Sequence, residues 1–92
     1  MEAITIATSR KLTAIESEPL LKKVLPKVHV ADKIILDLRD TEYLSSSALR
    51  VFLIINKALK VQGKEKLILM NVSKVTLEYL TLAGFESIVK IC

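Results

Sequence analysis

Cysteine, glycine, proline and aromatic residues are all scarce in this sequence: one Cys, two Gly, two Pro, two Tyr, two Phe and no Trp. The single Cys, Cys92, stands at the last position, so an intrachain disulfide, a Cys-based zinc site and a redox pair are all excluded. Two glycines and two prolines are too few for a loop-rich fold. The longest uninterrupted apolar run is the five residues 51–55, far short of the ~20 that a membrane-spanning helix needs. Residues 1–12 also lack the apolar stretch of a signal peptide. A soluble chain in a reducing cytoplasm is therefore expected. The four aromatics, Tyr43, Phe52, Tyr79 and Phe85, are not interleaved with a basic stripe, so no nucleic-acid surface is expected.

What is abundant is core-forming material. Hydrophobic residues make up 51% of the 92 residues and charged residues 26%, too apolar a balance for disorder. A chain of this size buries only a little more than ~60% of its unfolded surface and cannot divide its core, which predicts one domain over residues 1–92. The net charge of +4 is mild and spread along the chain. The small clusters Lys22-Lys23 and Lys64-Glu65-Lys66 read as solvated faces.

With no repeat or linker to divide the chain, organisation follows from periodicity. Ile4 and Ile6 alternate with Thr5 and Ala7 in a first strand, and residues 11–14 form a short second strand or an edge. Ser17-Glu18-Pro19 reads as a helix start, with Ser17 as the cap and Pro19 in the first turn, where its missing N–H costs nothing. Leu20, Leu21, Val24 and Leu25 line that helix, and Pro26 ends or kinks it. Residues 33–39 (KIILDLR) are the strongest strand, apolar on both faces as a central parallel strand should be, with Asp37 as its one inward polar residue. After a loop over residues 40–44, a helix begins at Ser45 or Ser46, runs to about Gln62 and stops at Gly63. Residues 66–71 form a strand, Ser73 caps a short helix over 75–83 that Gly84 ends, and residues 87–91 form the last strand. Alternating strands and helices with short connections predict an α/β fold: a four- to five-stranded, largely parallel sheet flanked by helices.

Catalytic motifs are missing. Neither glycine belongs to a phosphate loop, and no nucleophile elbow or paired zinc-ligand motif occurs, so no metal or cofactor site is expected. His29, the only histidine, reads as a surface or helix-end residue without a catalytic partner, and the terminal Cys92 has no activator. The informative segment is Tyr43-Leu44-Ser45-Ser46-Ser47-Ala48-Leu49, where three serines meet a helix start. One of them is accounted for as an N-cap. Free backbone N–H groups and the helix dipole would also stabilise a phosphate there. On a helical wheel at about 100° per residue, Ala48, Val51, Phe52, Ile55, Ala58 and Leu59 share one arc, which must face the sheet. The opposite arc collects Ser46, Arg50, Leu53, Ile54 and Lys57. That arc is either a partner-docking face, continuing Leu49, or is covered by another element of the same domain. Arg50, one turn after Ser46, is placed to serve as counter-ion to a phosphate.

At these residues the sequence resembles the STAS family, the anti-sigma factor antagonist domains, over nearly its whole length. Residues 34–39 (IILDLR) are similar to the family's apolar strand ending in an Asp-Leu-Ser step. Residues 43–49 (YLSSSAL) fall where the family has its aromatic-aliphatic-Asp-Ser-Ser/Thr-Gly-Leu motif. Leu12-Thr13 and Leu20 resemble the entry into the family's first helix, and residues 75–84 with Phe85 resemble its last segment. The resemblance implies a small sheet flanked by helices, with Ser46 at the phosphorylated position and Thr13, Asp37, Ser45 and Ser47 around it. It further implies a non-catalytic regulator: an antagonist binds an anti-sigma factor that is also a serine kinase, is phosphorylated by it, and is reset by a phosphatase. Three positions depart from the motif. Its Asp is Ser45, its Gly is Ala48, and the acid of the upstream entry is Thr13. A second role within the family, a subunit docked on an ABC-type transporter ATPase without phosphorylation, stays open.

Overall fold

The computed structural model describes residues 2–92. Strand β1 (Ala3–Ala7) leads to the short β2 (Lys11–Leu12) and helix α1 (Ala14–Val24), which runs into a 3-10 turn over Leu25–His29. Then come β3 (Lys33–Asp37), the short β4 (Tyr43–Leu44), α2 (Ser46–Val61), β5 (Ile68–Met70), α3 (Lys74–Leu82), a 3-10 turn over Phe85–Ser87 and β6 (Lys90–Ile91). The main sheet has the order β1-β3-β5-β6 and every neighbouring pair is parallel. Because the order advances in one direction, right-handed crossovers place the helices on one face. Alternation then sorts the strands: Ile6, Ile34, Leu36, Leu38, Leu67 and Leu69 are buried against the helices, whereas Thr5, Ile35 and Met70 turn to the other face. The core closes with Leu20, Leu21 and Val24 of α1, Val51, Phe52, Ile55 and Leu59 of α2, and Leu80 of α3.

The expected α/β architecture is present, with differences that have local causes. Ser17 does not cap α1. The helix starts earlier, at Ala14, because Thr13 and Glu16 form a reciprocal capping box: the Thr13 hydroxyl accepts from the first turn, and Glu16 Oε1 accepts from the Thr13 N–H at 2.8 Å. Ser17 is buried inside the helix, its hydroxyl donating to the Thr13 carbonyl at 2.6 Å. Pro19 consequently falls in the helix interior and leaves the Ile15 carbonyl without its usual donor. Pro26 does end the α-helix, entering the 3-10 turn.

The segment expected as a loop before α2 contains β4, which pairs in parallel with β2 (Lys11 with Tyr43, Leu12 with Leu44) as a separate two-stranded sheet. A pair of two-residue strands is too short to show a period. The central strand closes at Asp37, although the Leu38 N–H still donates to the Met70 carbonyl at 2.9 Å. Asp37 does not run inward: alternation places it opposite the core, beside Ile35. The last strand is reduced to Lys90–Ile91, because residues 85–87 wind into the 3-10 turn after Gly84, whose φ of +79° ends α3 as expected.

Candidate functional site

The carboxyl ends of the strands and the amino ends of α1 and α2 meet on one side of the molecule, and the small β2/β4 sheet ties them together. Its last residue, Leu12, presents a carbonyl that accepts both the Ser45 N–H at 3.0 Å and the Ser45 hydroxyl at 2.8 Å. The lone pairs of that hydroxyl accept the Ala48 N–H at 3.3 Å, which makes Ser45 the N-cap of α2. Thr13, the residue after Leu12, caps α1. The two positions that depart from the motif by losing an acid are therefore the caps of two adjacent helices. Hydroxyls do the capping that carboxylates also do, without their charge.

Ser46 is the first residue of α2 and is exposed, whereas Ser47 is half-buried. The first-turn N–H groups of Ser46 and Ser47 have no acceptor inside the helix and lie at the positive end of its dipole. Arg50 and Lys57 are exposed, and Leu53 is 43% exposed. The two ion pairs among the described residues, Arg10 with Glu42 at 2.9 Å and Lys33 with Glu65 at 3.4 Å, leave Arg50 and Lys57 without an acidic partner. Ile54 corrects the wheel: with Leu49 it is half-buried and packed against the core. The physical reason is the flank of α2 that Ile54 shares with Ala58, which α1 and the 3-10 turn after it pack against.

At the carboxyl ends of the strands lies a polar network that periodicity does not reveal. The buried Thr8 and Thr41 hydroxyls meet at 2.5 Å, and Thr41 donates to the Ser9 carbonyl at 2.7 Å. Asp37 Oδ1 accepts from the Asn71 side-chain amide at 2.9 Å and from the Arg39 N–H at 3.0 Å. The Asn71 bond, then the Arg39 N–H, hold this carboxyl below its ordinary value, so it is ionised at neutral pH and holds no proton to give. Asn71 itself has a φ of +57°, a left-handed conformation that Asn tolerates better than most residues. The Asp37-Asn71 bond thus fixes the turn from β5 toward α3. The sequence pattern alone does not bring Glu16, Thr41 and Asn71 to this end of the molecule. The Thr-x-x-Glu spacing of Thr13 and Glu16 is a legible capping signal, and Asn at a strand end is a turn signal.

At the far end of α2, the Gln62 side-chain amide Nε2 and His29 Nδ1 are hydrogen-bonded at 3.0 Å. That end lies roughly 22 Å from Ser46 along the helix. Cys92 is exposed at the end of β6. Among the described residues, no group of three or more His, Cys, Asp and Glu side chains converges as a metal site would require, and no helix is long and apolar enough to cross a membrane.

The family model for the STAS domain matches residues 2–92, and the chain belongs to that family. Its members are regulatory binding domains. Among solved structures, TM1081 of Thermotoga maritima, assigned as an anti-sigma factor antagonist, superposes with a TM-score of 0.84 at 25% identity, covering 97% of this chain and 77% of its own. The anti-sigma factor antagonist SpoIIAA in its unphosphorylated form gives 0.77 at 17% identity, covering 99% and 79%. A sulfate transporter family protein from Wolinella succinogenes gives 0.74 at 18% identity, covering 98% and 74%. The last two show the shared fold. No curated protein sequence matches the chain.

Proposed function

We propose that this domain is a cytoplasmic anti-sigma factor antagonist whose binding to an anti-sigma factor kinase is switched by phosphorylation of Ser46. The observation that carries the reading is the division of labour among three adjacent serines. Ser45 spends its hydroxyl on Leu12 and Ala48, Ser47 is half-buried, and Ser46 is exposed at the start of α2. The similarity to TM1081 supports the same reading. A phosphate there would add about −1.5 to −2 charge. The helix N-terminus stabilises that charge by roughly 0.3–1 kcal/mol, so the fold tolerates the modification. A partner seated over Ser46 and Leu53 would have to bury the charge, and binding is lost through desolvation. Arg50, free of any acid, is the counter-ion that holds the phosphate on the surface.

One observation favours a second reading. The caps at Thr13 and Ser45 are neutral, so a kinase that recognises acids at those positions finds none, and the fold is shared with a sulfate transporter family protein. On that reading the domain is an unmodified subunit docked on an ABC-type transporter ATPase. Phosphopeptide mass spectrometry of protein from its own host, with binding of Ser46→Asp and Ser46→Ala to the anti-sigma factor, separates the two. The switch predicts phosphate on Ser46, loss of binding in Ser46→Asp and constitutive binding in Ser46→Ala. Phosphate on Ser45 or Ser47 overturns the residue assignment, and its absence under every growth condition favours the transporter subunit.

A further inference from the structure

Charge is distributed unevenly along this chain. Residues 19–31, which form the second half of α1 after Glu16 and Glu18 and the 3-10 turn that follows it, contain no Asp or Glu, and neither do residues 43–64, which span α2. Together these two segments carry Lys22, Lys23, Lys27, Arg50, Lys57, Lys60 and Lys64, half of the 14 Lys and Arg, while all 10 acids lie elsewhere. A domain of net charge +4 thus holds +7 on two segments and −3 on the remainder. The segments are neighbours in space, because α2 packs against both α1 and the 3-10 turn.

Between them runs an open groove of about 520 Å³ with an apolar lining, in which Leu25, Val28, Ile54, Ala58 and Val61 take part. Lys57 stands on its rim, and the surface continues past Lys57 and Val61 to Leu53 and Lys60. Val61 is 78% exposed, an apolar side chain left in water. We infer that this groove docks an amphipathic, acidic helix of a partner protein, its apolar face on Ile54, Ala58 and Val61 and its carboxylates on Lys57 and Lys60.

The chemistry of the groove selects that occupant. Its walls are helical, so no strand edge offers unpaired backbone groups to an extended peptide, and the remaining mode is a helix laid in a groove. From Leu53 to Val61 the wall runs roughly 12 Å, about two turns, enough for apolar anchors at i, i+4 and i+7. The one ring on the groove, the His29 imidazole, is hydrogen-bonded to Gln62, so successive nucleic-acid bases have no aromatic platform to stack on. Its apolar surface is concave, whereas binding at a bilayer needs a protruding apolar face. Unpaired lysines around an apolar floor fit carboxylates around an apolar stripe.

The inference rests on the reading of α2 as a docking helix and adds what the docked segment must look like. The test uses the full chain, a fluorescent helical peptide with Leu at i, i+4 and i+7 and Glu on its other face, and its counterpart with Lys for Glu. The acidic peptide should bind and shift the backbone amide resonances of Val28, Ile54, Ala58 and Val61, and the basic one should not. Val61→Asp and the double variant Lys57→Glu/Lys60→Glu should each weaken binding at least about tenfold, with Tm unchanged, and the double variant should instead take the basic peptide. Equal binding of both peptides, shifts confined to the strand ends, or tighter binding of poly-uridine RNA or phosphatidylglycerol vesicles at the same residues would overturn the proposal. Should the acidic peptide fail while Leu53→Asp still abolishes binding of the anti-sigma factor, the groove is wrong and the docking reading stands. Should it bind while Leu53→Asp leaves the anti-sigma factor bound, the docking reading falls and the groove remains.

Discussion

Single side chains at the helix starts decide how this domain is held together, and their contributions are separable. Thr13→Ala removes the cap of α1 and, with it, the partner of Glu16, so it should cost about 0.5–2 kcal/mol in urea unfolding. Thr13→Ser keeps both the cap and the hydroxyl that donates to Glu16, and should recover most of that loss. Both Glu16 and Asp37 titrate below their ordinary values of 4.5 and 3.8. The Thr13 hydroxyl and N–H hold Glu16 down, and the Asn71 amide followed by the Arg39 N–H holds Asp37. A carboxyl lowered in the folded state means that the unfolded chain binds more protons in this range, so stability rises with pH. The contribution is complete above the ordinary values and disappears as the pH falls through the folded ones. Stability measured against pH should therefore drop on acidification through the carboxylate range, and Asp37→Asn should make that slope shallower. An unchanged slope would mean that the Asn71 bond does not persist in solution. These contacts were only partly legible in the sequence, because a cap is a local signal, whereas the Asp37-Asn71 bond joins residues far apart in the chain.

At the scale of elements, α2 shows how far a pattern can be trusted. Its sheet-facing arc is recovered from spacing in all but one position: Ala48, Val51, Phe52, Ile55 and Leu59 are buried, whereas Ala58 is half-buried on the flank toward α1 and the 3-10 turn. The outer arc was less legible, because a wheel shows which way a residue points and not which neighbour stands there. Leu53 stays exposed while Ile54, one residue on, is half-covered beside the 3-10 turn. The two substitutions should therefore differ: Leu53→Asp should alter stability by no more than about 0.5 kcal/mol, and Ile54→Asp should cost about 1–3 kcal/mol, both read from thermal unfolding. Equal losses would show that Leu53 also belongs to the core. The KIILDLR run is legible as the central strand because buried parallel strands are apolar on both faces. Strand β4 is not, since its two residues gain their identity only from β2. Helix α3 leaves Val75, Tyr79 and Leu82 exposed along one stripe, with Leu82 at 88%. Leu82→Lys should accordingly raise solubility and leave the unfolding midpoint unchanged.

For the molecule as a whole, the sequence shows the class of fold through its alternation of strand and helix, and the direction of travel follows from the handedness of crossovers. What it does not show is the split into a main sheet and a two-stranded appendage, because that depends on which residues the folded chain brings opposite one another. The parallel main sheet has a further consequence, in the order of assembly. No two of its strands are joined by a hairpin: Ala3 pairs with Lys33, Ile35 with Ile68, and Ile68 with Lys90. No part of the sheet can form as a local event, and each pairing waits for the intervening helix to condense and close a long loop. Helix α2 bridges the two central strands, so its contacts should already be present at the rate-limiting barrier. Ile55→Val, a loss of about 0.5–1.5 kcal/mol, should slow refolding more than it speeds unfolding in a denaturant chevron, whereas the same loss from Val89→Ala beside β6 should act mainly on unfolding.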